Sequence, residues 1–211
     1  MNPVIAVLGG TGQLGGGLAR RWIRAGYRVV IGSRSPERAA ATAVEIGAFS
    51  GMANVEAAAA ADIVLLAVPY SQQREILHEV KPSLAGKILI DATVPLVPPK
   101  VMRVQLPAEG SAAAIAQGIV GESVRVVSAF HNVAAALLHE DQPLDCDVLV
   151  FGDDKEARAT VIGLVAAAGL RGFHGGSIAN SAAAEALTSV LIFINKHYAA
   201  HAGIRLTGVP S

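Results

Sequence analysis

The chain opens on a continuous apolar run, Val4-Ile5-Ala6-Val7-Leu8, that stops at Gly9-Gly10. A run of that length bounded by glycine predicts a strand buried on both faces. From Gly12 to about Ala25 the apolar positions Leu14, Leu18, Trp22 and Ile23 recur near helical spacing, and Gly26 stands where a helix C-terminal glycine belongs. Arg28 to Gly32 predicts a second strand. Ser35-Pro36-Glu37 then offers an N-cap, a proline at the first helical position and an early acid for a second helix. The alternation continues with a helix over Val55 to Ala61, a strand over Asp62 to Val68 ending at Pro69, a helix over Ser71 to Val80 and a strand over Lys87 to Asp91. Val124 to Ala129 and Val148 to Phe151 are further strands, the latter followed by a helix from Lys155 to Ala168. Strands alternating with helices predict an α/β protein with a doubly wound, mainly parallel sheet. Val94 to Pro99 is the one long irregular stretch, and it follows a strand end, where such folds place ligand loops. From Ser177 the pattern changes to a helix running to about His201, with Ala183, Leu187, Val190, Leu191 and Ile194 on a broad apolar face. The chain therefore divides into a sheet domain over residues 1–175 and a small C-terminal helical extension over 176–211.

The turn after the first strand carries the chemistry. Gly10, Gly12 and Gly15 satisfy G-x-G-x-x-G between a strand and a helix, with Thr11, Gln13 and Leu14 between them. The first glycine is expected to allow the tight turn, the second to admit a pyrophosphate, and the third to let helix and strand approach. Backbone N–H groups of the helix N-terminus then face the anion. This predicts a Rossmann-type dinucleotide-binding domain. The end of the second strand, Gly32-Ser33-Arg34-Ser35, lacks the acid that holds a ribose 2′-hydroxyl in NAD-specific domains. Ser33, Arg34 and Arg38 instead offer a hydroxyl and two forked guanidinium groups, which suit a 2′-phosphate, so the expected cofactor is NADP(H).

Composition narrows the rest. Lys plus Arg equal Asp plus Glu at 17 each, so the chain has no overall basic excess with which to grip nucleic acid. Cys146 is the only cysteine, which excludes an intrachain disulfide or a cysteine metal site; the flanking Leu144-Asp145-Cys146-Asp147-Val148 reads as the entrance to a buried strand and predicts an inert thiol. The histidines show no metal-ligand spacing with Cys146, and His197 and His201, four residues apart, lack a third ligand in view, so no metal is expected. The late apolar stretch from Ala182 to Ile194 contains Glu185, Thr188 and Ser189 and is read as too short and too polar for a membrane span. A cytoplasmic protein without membrane partner is the expectation. A short-chain dehydrogenase would require Tyr-x-x-x-Lys, but four residues after Tyr27, Tyr70 and Tyr198 stand Ile31, Arg74 and Ala202.

With these residues assembled, the chain resembles the coenzyme F420-dependent NADP reductases, the NADPH:deazaflavin oxidoreductases. The resemblance runs nearly end to end. It covers Gly9-Gly10-Thr11-Gly12-x-Leu14-Gly15, Gly32-Ser33-Arg34, the strand leading through Val68 to Pro69, and Pro95-Leu96-Val97-Pro98. It continues through Ser128-Ala129-Phe130-His131, Gly152-Asp153-Asp154, and Asn180-Ser181 with Glu185, Leu187, Thr188 and Asn195. The resemblance implies direct hydride transfer between nicotinamide C4 and deazaflavin C5, with coenzyme F420 as co-substrate. It also implies His131 and Val133 beside the reacting rings, Thr188 facing the same cleft, Thr11 near the cofactor, and a homodimer that uses the C-terminal helix. Two positions depart from the pattern. Ala182 stands where an arginine is expected after Asn-Ser, and Ala134 where a proline often follows the His-x-Val step. Two other readings keep the NADPH site. One is a reductase of a flavin, an imine or a ferric chelate, and the other a non-catalytic NADPH-binding redox sensor.

Overall fold

The computed structural model describes residues 2–140 and 142–209. Its strands are β1 (Ile5–Leu8), β2 (Val29–Ser33), β3 (Ser50–Ala53), β4 (Ile63–Leu66), β5 (Ile88–Asp91), β6 (Arg125–Ser128), β7 (Asp147–Phe151) and β8 (Arg171–Gly176). They form one sheet in the order β3-β2-β1-β4-β5-β6-β7-β8. The helices are α1 (Gln13–Arg24), α2 (Pro36–Ile46), α3 (Asn54–Ala59), α4 (Tyr70–Val80), α5 (Ala112–Val120), α6 (Lys155–Ala167) and α7 (Ser181–Tyr198). The expected doubly wound, mainly parallel sheet is present. Its exception is β6 beside β7, antiparallel through Ser128 opposite Phe151. The order reverses direction between β1 and β4, and the crevice at such a switch point is where open α/β sheets bind ligands.

Alternation of side chains along each strand builds two cores. On β1, Ile5 and Val7 join Leu18, Trp22, Val29 and Ile31 on one face. Ala6 and Leu8 join Val64, Leu66, Ile76 and Leu77 on the other. A strand covered on both faces has no polar side, which is why its sequence reads as unbroken apolar residues.

Helix α1 ties distant parts of the chain together. Trp22 packs edge-on against Phe130 at 6.0 Å between ring centroids and donates its indole N–H to the Leu164 carbonyl at 2.8 Å. The buried Arg21 guanidinium donates to the carbonyls of Leu138 and Ala168, both at 2.9 Å, and to Glu140 at 2.8 Å and Gln142 at 3.0 Å. These bonds hold the irregular segment after His131 against the phosphate-side helix.

Several elements differ from the sequence expectation. β3 and β8 read Ser-Gly-Met-Ala and Arg-Gly-Phe-His-Gly-Gly, too poor in β-branched residues to register as strands. Helix α5 went unrecognised because its alanines carry no polar face to set a period. The last helix stops at Tyr198 rather than His201, with Ala199 in the left-handed region at φ 50°.

The chain beyond α7 returns to the sheet. Asp147 donates its backbone N–H to the Ile204 carbonyl at 2.8 Å, and its side chain takes the Leu206 N–H at 2.6 Å and both Arg171 nitrogens at 2.8 and 2.9 Å. The stretch Ala182 to Ile194, read as too short and too polar for a span, lies within the longer segment Ile178–Tyr198, which by length and composition alone is long and apolar enough to cross a membrane. In the fold, its Ser181, Glu185 and Ser189 are buried against the rest of the chain.

Candidate active site

The glycine loop is shaped by the absence of side chains. Gly9 adopts φ +86°, and a Cβ there would lie 2.3 Å from the Ala67 carbonyl oxygen. The tight turn expected of Gly10 therefore belongs to Gly9. Gly10 is closely packed instead, since a Cβ there would lie 3.0 Å from Ile31 and from the Val7 carbonyl oxygen. A Cβ on Gly15 would sit 2.6 Å from the Gly9 oxygen, so this residue sets how closely α1 approaches β1. Gly12 caps α1 without any side-chain bond, and no acid stands in the first turn. The amides of Gln13, Leu14 and Gly15 find no acceptor among the described residues. By contrast α2, α5 and α6 are capped by Ser35, Ser111 and Asp154. An uncapped helix start with open amides is a ready anion site.

This loop forms one end of a cleft of about 460 Å³, the size of a small-molecule site. Gly9, Thr11, Gly12, Ser33, Arg34, Arg38, Val68 and Pro69 line it. Gly10 and Gly15 lie buried beneath, Leu14 packs on the core, and Gln13 is exposed with its carbonyl against His139. The guanidinium groups of Arg34 and Arg38 are exposed and engage no described residue. Glu37, in the same turn, takes the Ser35 hydroxyl at 2.8 Å and does not line the cleft. Two unpaired cations and an uncapped helix fit a phosphorylated dinucleotide. Sequence reasoning missed Asn54, which lines the same cleft, is 2% exposed and has an Oδ1 without partner. It follows β3, the strand that the apolar pattern did not reveal.

A second recess, of about 220 Å³, lies where β6 ends. The structure brings His131, Val133 and Thr188 together there, with Asn132, Ala134, Leu191, Ile192 and Asn195. Thr188 donates its hydroxyl to the His131 carbonyl at 3.0 Å and accepts from Asn132 Nδ2 at 3.2 Å, so it locks α7 onto the loop. His131 is 6% exposed, and its Nε2 lies 3.1 Å from Ser128 Oγ. Burial pushes its pKa down to about 4, so the ring is neutral near pH 7. Val133 is half-buried on the recess wall, and Ala182 lies outside it. The Cys146 thiol is buried, and burial raises its pKa.

Two buried acids sit beneath these sites. Asp91 accepts the Thr93 amide at 2.9 Å and Gln73 Nε2 at 2.6 Å, yet burial carries its pKa up to about 6. Glu185, on α7, accepts the first amides of α5 from Ala112 at 2.6 Å and Ala113 at 3.1 Å. Those bonds favour its charged form, but burial outweighs them and lifts its pKa to about 7. Among the described residues no group of three or more His, Cys, Asp or Glu is arranged to hold a metal.

Comparison with known proteins bears on what this geometry serves. Residues 4–95 match the family described as NADP oxidoreductase coenzyme F420-dependent. The F420-dependent NADP reductase of Methanocaldococcus jannaschii is 39% identical over 97% of this chain and 98% of its own. The chain belongs to the F420-dependent NADP reductase family. The enzyme of that name from Methanothermobacter marburgensis agrees, at 38% identity over 98% and 99% of the two chains. A hypothetical protein from Sinorhizobium meliloti has the same fold, with a TM-score of 0.73, 25% identity, and coverage of 86% and 88%. The similarity to these two reductases spans both the glycine loop and the segment around His131.

Two outcomes follow. Arg34→Ala is expected to weaken NADPH by roughly 10- to 100-fold and to leave NADH nearly unchanged, because a charge-assisted bond to a 2′-phosphate is lost. Equal losses for both nucleotides, read by fluorescence titration, would show that Arg34 serves the fold. For Glu185, a folded pKa of about 7 against an ordinary 4.5 means that its contribution to stability is full below the unfolded value and is lost as pH rises through that window. Glu185→Gln removes this titration while Asp91 and His131 remain common to both proteins. The wild type should therefore lose on the order of 2 kcal/mol relative to the variant between about pH 4.5 and about pH 7.5 in urea unfolding. A constant difference would refute it.

Proposed function

We propose that the protein is an NADPH-dependent oxidoreductase that exchanges hydride between NADP(H) and a deazaflavin acceptor of the coenzyme F420 type. The observation that carries this reading is a charged phosphate cleft and a neutral recess at the strand ends of one sheet, in a chain of this family. When bound, the nicotinamide supplies or takes the hydride at C4 and the deazaflavin exchanges it at C5, the reduced acceptor also gaining a proton. The chain's own part is to bind, orient and dry the site. Open amides of α1 and the Arg34 and Arg38 guanidinium groups hold the phosphates. His131, kept neutral by burial, and the apolar Val133, Leu191 and Ile192 form a wall that excludes water. Thr188 fixes the His131 side of that wall to α7, so residues 176–211 complete the acceptor side of a dinucleotide domain over residues 1–175. Hydride transfer asks for alignment rather than covalent catalysis, and no acid–base pair is required.

The same reading makes the protein a soluble, cytoplasmic homodimer. Val190, Phe193 and Tyr198 of α7 are 43%, 54% and 71% exposed, and Val97, Val104 and Leu106 add apolar surface. An exposed apolar helix face of this kind favours a second subunit.

Val133→Phe is expected to fill the recess and cut turnover about 100-fold or more while the Kd for NADPH stays within about twofold, since a shift of roughly 1 Å in the reacting atoms is enough. Stopped-flow oxidation of NADPH by a deazaflavin checks this, and wild-type protein that binds NADPH but leaves it unoxidised would end the reductase reading. Light scattering should return about twice the 21.6 kDa chain mass. A mass of one chain across a wide concentration range would remove the dimer.

A further inference from the structure

The polar groups of the His131 recess are unevenly used by the protein. Asn132 is 6% exposed, and its Nδ2 donates to the Ala184 carbonyl at 2.9 Å and to Thr188 Oγ1 at 3.2 Å. A carbonyl accepts only from a donor, so the amide orientation is settled. Its Oδ1 accepts nothing from the described residues and is not sealed from solvent. Asn195 is the mirror case. Its Oδ1 takes the Ala202 N–H at 2.6 Å, which leaves Nδ2 without an acceptor. Both residues line the recess, and no Asp, Glu, Lys or Arg does. Thr188 is already engaged with its neighbours, and the His131 nitrogens face Ser128 or lie buried. Apart from the exposed His201, the free polar groups are thus one amide acceptor and one amide donor. The remaining wall is Val133, Ala134, Ala135, Leu191 and Ile192.

We infer that this recess recognises its acceptor by a lactam edge, an N–H beside a C=O on a flat, uncharged heteroaromatic ring. Asn132 Oδ1 accepts from the ring N–H, and Asn195 Nδ2 donates to the ring C=O. At about 220 Å³ the recess is smaller than a site that takes a whole drug-sized ligand, so it holds a ring edge and leaves charged side groups outside. The pyrimidinedione of a deazaflavin has this edge; a simple imine or a ferric chelate does not. An acceptor without the edge, once seated over the recess, takes water from Asn132 Oδ1 and Asn195 Nδ2 without replacing its hydrogen bonds, which is how a hydrogen-bonding site rejects near-isosteres. The inference rests on the reading of the recess as the acceptor site and adds the residues that select the acceptor.

The test is an equilibrium titration of the protein–NADP⁺ complex with 5-deazariboflavin and with its N3-methyl derivative, followed by ligand absorbance. It is independent of turnover, so failure of NADPH oxidation with binding intact would fault the reductase reading alone. N3-methylation is expected to weaken binding roughly 10-fold or more by removing the donor that faces Asn132. Asn195→Asp keeps an acceptor for Ala202 and puts a charged carboxylate oxygen in place of the free donor. It is expected to weaken the unmethylated ligand by a similar factor, with the Kd for NADPH and the urea midpoint unchanged. Binding of both ligands within about twofold, and equal binding by wild type and Asn195→Asp, would overturn the assignment.

Discussion

The close approach of α1 to the carboxyl end of β1 is the constraint on which the rest of the molecule depends. Gly9 in its left-handed turn, touching the Ala67 carbonyl, and Gly15 against the Gly9 oxygen leave no room for a Cβ at either place. That approach aims the open amides of α1 into the crevice at the switch point of the sheet. One and two turns further on, the same helix offers Gly17, where a Cβ would lie 2.5 Å from Leu138, and then Arg21 and Trp22. Their bonds reach residues 137–142 and α6. The helix whose open amides face the cleft therefore also buttresses the segment leading away from His131 and Val133. In the function we propose, phosphate binding and acceptor alignment share a rigid element.

The electrostatics divide along the same crevice. Toward β2 the Arg34 and Arg38 guanidinium groups stand in solvent without an ion-pair partner among the described residues, as the phosphate site we propose there requires. Toward β6 the lining is neutral. His131 is stripped of its proton by burial, while Asp91 and Glu185 below are pushed toward their protonated forms by the same cause. A hydride carries its electron pair along with the hydrogen, and a dry surrounding without mobile charge lets two stacked rings exchange it with little reorganisation. Glu185 also has a mechanical part, since its carboxyl group receives the start of α5 and so fixes α7, which brings Thr188 and Asn195 to the recess.

What the sequence determined by itself was local. Unbroken apolar runs marked β1, β4 and β5, because strands covered on both faces have no polar positions. The glycine loop and Gly32-Ser33-Arg34 announced the nucleotide and its 2′ end, because their chemistry resides in contiguous backbone and side chains. Tertiary structure decided whatever depended on partners distant in the chain. β3 and β8 are strands because β2 and β7 offer hydrogen-bonding edges, not because Ser-Gly-Met-Ala or Arg-Gly-Phe-His-Gly-Gly favours extension. Gly9 rather than Gly10 makes the turn because the Ala67 carbonyl lies 58 positions away in the chain and at contact distance in space. The burial that neutralises His131, and the splitting of Asn132 and Asn195 into one occupied and one open amide end, arise where β6, α7 and the chain beyond it meet. No pattern of neighbouring residues encodes such a meeting, because hydrogen-bond satisfaction and desolvation belong to the packed environment and not to the residue.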